Sequence, residues 1–200
     1  GLGDVYKRQW LQRLVKAADG TYECPNEFSP EHGPASENAT AHSQQLVWDL
    51  FNNTLQAIAE LGINEDATFL NDLNSKFKKL YTGLAIENVN GQPLLREWKY
   101  TSQATVPSYN SHRHMSHLMG LYPGNQIGRD IDANIYEAAL NSLNTRGYAG
   151  TGWSMGWKVN LHARARNGNV CQRLLRTALH FQDNTGNSEG GGVYENLWDA

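Results

Sequence analysis

The apolar residues between Ala41 and Leu61 constrain the fold most. Leu46, Val47, Leu50, Phe51, Leu55, Ile58 and Leu61 recur at steps of three and four residues, and Gly62 follows directly. That period gathers large side chains on one face of an α-helix, and a glycine is well suited to end one. A helix with one apolar face needs a partner. Residues 65–80 repeat the pattern with Phe69, Leu70, Leu73, Phe77 and Leu80. Further helices are expected over residues 131–146, stopped by Gly147, over 153–165 and over 169–181, with a shorter one over 10–17. A short helix is also expected over 112–121, ahead of the Pro123-Gly124 break.

Long connections separate these helices. Gly20, Pro25, Pro30, Gly33 and Pro34 punctuate residues 20–40, which read as an ordered loop. Asn90-Gly91 is a hairpin-turn dipeptide, and Leu84 and Ile86 are expected to face Leu94 across it. Residues 101–111 form another loop through Pro107, and 188–192 a flexible glycine-rich one. Strand and helix do not alternate, which disfavours a doubly wound α/β sheet. No period of 20 to 50 residues marks a repeat array. The expected class is all-α, made of helix pairs with long functional loops and one short hairpin excursion, as in a helical toroid or solenoid.

Composition narrows the partners. The net charge is −3 and no Lys/Arg run occurs, so capture of nucleic acid or of an anionic membrane is not expected. No apolar run approaches the roughly 20 residues of a membrane span. Two cysteines are too few for a disulfide framework. Six Trp and nine Tyr suit sites that are apolar on one side and wet on the other, though most should pack in the core. Residues 1–9 lack apolar periodicity. They read as a non-native leader, which leaves 10–200 as the folded segment.

Three clusters carry candidate chemistry. The densest is His112-Arg113-His114-Met115-Ser116-His117. Its histidines could bind zinc, could satisfy buried backbone carbonyls, or could hold a hydroxyl-rich ligand together with the arginine fork. No carboxylate lies nearby in sequence to support a metal, and spacing alone leaves the other two readings open. The second is Asn26-Glu27-Phe28-Ser29-Pro30-Glu31-His32-Gly33-Pro34, in which a proline-stiffened loop presents Glu27 and Glu31. A general acid needs a carboxyl group held in place, although carboxylates are more often plain surface residues. The third is Gly150-Thr151-Gly152-Trp153-Ser154 through Trp157 and Lys158. It does not match a nucleotide-binding loop, and it sets two Trp on one helical face, where a ring could meet a sugar or the core.

Taken in order, these clusters resemble glycoside hydrolase family 95, whose members are chiefly α-L-fucosidases with some α-L-galactosidases. The resemblance rests most on His112 through Gly124 and extends over nearly all of residues 10–200. Asn196-Leu197-Trp198-Asp199-Ala200 looks like the lead-in to a further family motif. The resemblance implies part of an (α/α)6 barrel, truncated at both ends. It implies hydrolysis of terminal α-L-fucosyl linkages with inversion, acting on fucosylated oligosaccharides or on plant or host glycans, with no metal or organic cofactor. Carried onto this chain, Glu31 matches the general acid, and Arg113 and His114 match residues that hold the sugar. His112 and His117 belong to the same motif as supporting positions. Trp153 is the candidate for the apolar patch under the 6-deoxy methyl group. The water-activating base of the family has no counterpart in these residues, so the segment alone is expected to be inactive. The longer parent is expected to be secreted or periplasmic. Alternatives are an α-L-galactosidase, another helical-barrel glycosidase, or a non-catalytic carbohydrate-binding helical domain.

Overall fold

The computed structural model describes residues 2–107, 109–182 and 192–197, with side chains from Arg8 onward. Among the described residues the fold is mostly helical, with two small antiparallel sheets. Helix α1 spans Leu2–Arg13 and continues back through residues that sequence reasoning had set aside as a leader. Strands β1 (Val15–Lys16) and β2 (Tyr22–Glu23) form a two-residue pair, β1 at the end of the stretch expected to be helical over 10–17 and β2 in the expected loop. Helices α2 (Ala41–Leu61) and α3 (Ala67–Phe77) follow. Gly62 closes α2 at φ 59°, and the Asp66 carboxylate opens α3 by accepting from the Phe69 amide at 2.9 Å. Leu11, Leu14, Cys24, Val47, Phe51, Phe69, Leu73 and Leu80 form the core that these helices share. Leu46 and Leu61 lie outside that core, and Leu61 is 72% exposed.

Strands β3 (Ile86–Val89) and β4 (Gln92–Leu95) form the hairpin at Asn90-Gly91, where both turn residues have positive φ. Ile86 pairs with Leu95 and Glu87 with Leu94, one place from the expected partnership, because the two-residue turn fixes Val89 opposite Gln92. Helix α4 (Ala133–Thr145) starts on the Asp132 side chain and packs against β4. Helices α5 (Gly152–Arg164) and α6 (Gly168–Ala178) pack on each other. A second core joins Leu95, Met115, Leu118, Leu121, Ala138, Ala139, Leu143 and Leu161. The glycine-rich stretch at 188–191 and the segment from Trp198 lie outside the described residues.

The expected helix over 112–121 is corrected. Only Ser116–Leu118 winds, as a single 3-10 turn that runs on into turns, and 112–115 has no regular structure beyond a bend at Arg113. Other groups take the backbone bonds a helix would use. The His112 ring Nδ1 accepts from the His114 amide at 3.2 Å, and Arg146 donates to the His114 carbonyl at 2.5 Å. Gln45 of α2 then pins the run. It donates to the His117 carbonyl at 2.8 Å and accepts from the Gly120 amide at 2.7 Å.

Candidate active site

The loop from Ser29 to Gly33 meets the 112–117 run from the opposite side. The Ser116 hydroxyl donates to the Pro30 carbonyl, tying the two segments together beside Glu31. The Glu31 carboxylate projects past this joint. One oxygen, Oε2, lies 2.5 Å from an Arg113 guanidinium nitrogen and 2.6 Å from His114 Nε2. The hydrogen bond to His114, helped by the Arg113 charge, holds the Glu31 carboxyl below the usual carboxylate range against the opposing effect of burial. Glu31 is half exposed at 52%, whereas the His114 side chain is only 10% exposed. The acidic group therefore faces solvent from an interior support.

The expected site residues fall into two sets. Glu31, Arg113, His114 and Trp153 surround one opening. The Trp153 ring stands edge-on to His114, with centroids 4.9 Å apart, and is 63% exposed. Trp153 and Trp157 lie on one face of α5 at 5.3 Å, and the Ser154 hydroxyl donates to the Arg113 carbonyl at 2.6 Å. Beside this opening is a cavity of about 470 Å³, bounded by Pro30, Ser116, His42, Tyr122, Trp153 and Trp157. Its aromatic walls and few polar groups suit the two faces of a pyranose ring.

His112 is set back. It stacks on His32 at 3.9 Å with the rings 6° from parallel, and burial lowers it to about 4, so it is a neutral platform at pH 7. His117 lies deeper still. Its side chain has no exposed surface, and burial lowers it to about 3. It lies inside, with Nδ1 3.4 Å from Glu97, a contact of a neutral ring rather than an ion pair. The three histidines thus face three different partners, and among the described residues no group of His, Cys, Asp or Glu is arranged to hold a metal ion. Glu27 is engaged elsewhere, accepting from Arg13 at 2.7 Å.

Glu97 and Arg146 were missed by sequence reasoning. Both side chains are fully buried, and Arg146 donates to Glu97 at 2.7 Å. Burial opposes the Glu97 charge, but the hydrogen bond from His32 and the Arg146 charge outweigh it, so its carboxyl lies well below the ordinary range. The guanidinium also sits 4.4 Å from the Tyr109 ring centroid. No short-range signal marks either residue, since they lie 49 positions apart in unrelated elements.

A helical frame with an exposed carboxylate on an Arg-His clamp, beside an aromatic cavity, has the features of a glycan-cleaving enzyme. Comparison with known proteins gives the family. Residues 6–200 match the glycosyl hydrolase family 95 catalytic domain, and the chain belongs to that family. It is 37% identical over 161 residues to "Probable alpha-fucosidase A" of Aspergillus niger, covering 74% of this chain and 19% of that protein. It is 34% identical over 168 residues to the protein of the same name from Aspergillus oryzae, covering 80% and 22%. "Alpha-L-fucosidase 2" of Arabidopsis thaliana is 30% identical over 200 residues, covering 95% and 23%. The chain therefore spans about a fifth of the length of these relatives. No helix among the described residues is long and apolar enough to cross a membrane.

Proposed function

We propose that these residues form the acid-bearing side of an α-L-fucosidase active site, within residues 10–200 as part of an (α/α)6 barrel. Glu31 would donate the proton to the glycosidic oxygen as the bond to a terminal α-L-fucosyl group breaks. Arg113 and His114 would bond the fucose hydroxyls and hold the ring in a reactive pose. Trp153 would cover the 6-deoxy methyl group. His112 would act from behind, through its stacking on His32 and its bond to the His114 amide. The base that activates water on the opposite face belongs, in this reading, to parts of the longer family proteins outside these 200 residues. Attack by that activated water on the face opposite the leaving group inverts the anomeric centre, and without the base the isolated segment would be inactive.

The observation that carries this reading is the convergence of Arg113 and His114 on a single exposed carboxylate, Glu31. In the free site that clamp keeps Glu31 ionised. A bound sugar changes the balance in two ways. Its hydroxyls compete for the Arg113 and His114 donors, and its bulk excludes water. Both effects raise the carboxyl pKa, so the proton needed for catalysis is taken up from solvent with the substrate.

The test uses a protein of full family length carrying these residues. Given an α-1,2-fucosylated galactoside, early ¹H NMR spectra should show β-L-fucose first, with much slower release of L-galactose from the matching α-L-galactoside. First release of α-L-fucose would rule out inversion, and faster L-galactose release would reassign the substrate. The ionised state of Glu31 favours one rival, in which it only holds Arg113 and His114 in place. Under that rival, replacing it would weaken sugar binding without selectively slowing turnover.

A further inference from the structure

One fully buried charge, Glu97, has no part in the chemistry proposed for Glu31. Glu97 follows β4 and has a side chain with no exposed surface. It accepts from the Ser29 hydroxyl at 2.6 Å, and its two oxygens each lie 3.2 Å from His32 Nε2. Ser29 and His32 straddle Pro30-Glu31, so both feet of the acid loop stand on one carboxylate. Glu97 also accepts from Arg146 at 2.7 Å. The other arm of Arg146 donates to the carbonyl of His114, the residue whose ring holds Glu31. The donors bonded to Glu97 thus lead back to the two segments that make the site.

A buried ion pair is not in itself a strong source of stability, because desolvation offsets much of the attraction. It does fix geometry, since a carboxylate with several donors has few alternative arrangements. We infer that Glu97 is a positioning residue for the Glu31–His114 pair, anchoring the acid loop through Ser29 and His32 and the His114 backbone through Arg146. The inference rests on the reading of Glu31 as the general acid. It assigns Glu97 no contact with the glycan.

The leaving group separates this role from plain structural support. A sugar alkoxide needs a well-placed proton to depart, whereas fluoride needs almost none. The experiment compares kcat on an α-1,2-fucosylated galactoside with kcat on α-L-fucosyl fluoride, in a protein of full family length. Glu97→Gln should lose about 100-fold on the galactoside, the scale expected for roughly 1 Å of misplacement, and only a few-fold on the fluoride. Ser29→Ala and Glu97→Asp should show the same preference to a smaller degree. These milder variants keep the test available if Glu97→Gln does not fold. Equal loss on both substrates, or no loss on either, would overturn the inference. Glu31→Gln is the control. If it shows the preference while the Glu97 and Ser29 variants do not, the positioning role fails alone. If it shows none, the acid reading fails and takes the positioning role with it.

Discussion

His114 Nε2 lies 2.6 Å from Glu31 Oε2, so the group expected to give up a proton is held by a residue expected to grip the sugar. The two tasks cannot be performed at full strength together. In the proposed mechanism, releasing Arg113 and His114 from Glu31 readies the carboxyl for its proton.

A split between two pH profiles follows. A general acid works only while protonated, so activity falls as pH rises through its pKa. The profile of kcat/KM reports the free site, where His114 and Arg113 hold Glu31 low. The profile of kcat reports the glycan-bound site, where those donors are shared. The basic limb of kcat should therefore lie at higher pH than that of kcat/KM. Replacing His114 by Phe should move the free-site limb upward and narrow the gap. Coincident limbs in the unaltered protein would remove the release step.

Gly33 is fixed by its surroundings. Its φ is +93°, and a Cβ placed there would lie 2.2 Å from the Trp98 ring. Gly33→Ala combines left-handed strain with overpacking against a buried indole. It should cost about 1–3 kcal/mol by the overpacking rule alone, read as a lower denaturation midpoint, and should slow turnover because the acid loop must shift. An unchanged midpoint with unchanged kcat would show that the loop accommodates the methyl group freely.

The Glu97 network should make the protein acid-sensitive. The folded carboxyl lies below its ordinary value near 4.5, so its contribution to stability is complete above that pH and is lost as pH falls beneath it. Breaking the pair by Arg146→Met, which strands the buried carboxylate, should cost about 3–5 kcal/mol at neutral pH. The difference from the unaltered protein should shrink in acid, where Glu97 can take up a proton. Denaturation midpoints measured from pH 3 to pH 7 check this, and a difference independent of pH would contradict it.

Lys158 should change stability with pH in the same sense, in an alkaline window rather than an acid one. Burial lowers it to about 8 from an ordinary 10.5, while its ammonium donates to the Ala149 carbonyl at 2.6 Å. Between those values the unfolded chain binds more protons than the folded one, so stability should rise with pH relative to Lys158→Met. A stability difference that stays flat from pH 8 to pH 10 would refute the shift.

The helix pairs were legible because their apolar steps are local. The helix ends were legible through residues such as Gly62 and Gly147, both left-handed in the structure. The hairpin turn was equally clear, yet its register was read one place off, although a two-residue turn at Asn90-Gly91 determines it. The 112–121 stretch misled because Met115, Leu118 and Leu121 keep a three-residue step and are all buried, while distant groups such as Arg146 claim the local backbone bonds. Glu31, Arg113 and His114 take their proposed roles from the resemblance, not from spacing. Glu97 and Arg146 escaped because a buried ion pair between remote segments has no periodic signature.

The most direct measurement is turnover by Glu31→Gln in a protein of full family length, with sugar binding measured alongside. If Glu31 is the general acid, kcat on an α-1,2-fucosylated galactoside should fall by about 10²–10⁴-fold, while the affinity for L-fucose changes little and α-L-fucosyl fluoride is still cleaved. Unchanged kcat on the galactoside, or equal losses on both substrates, would contradict the account.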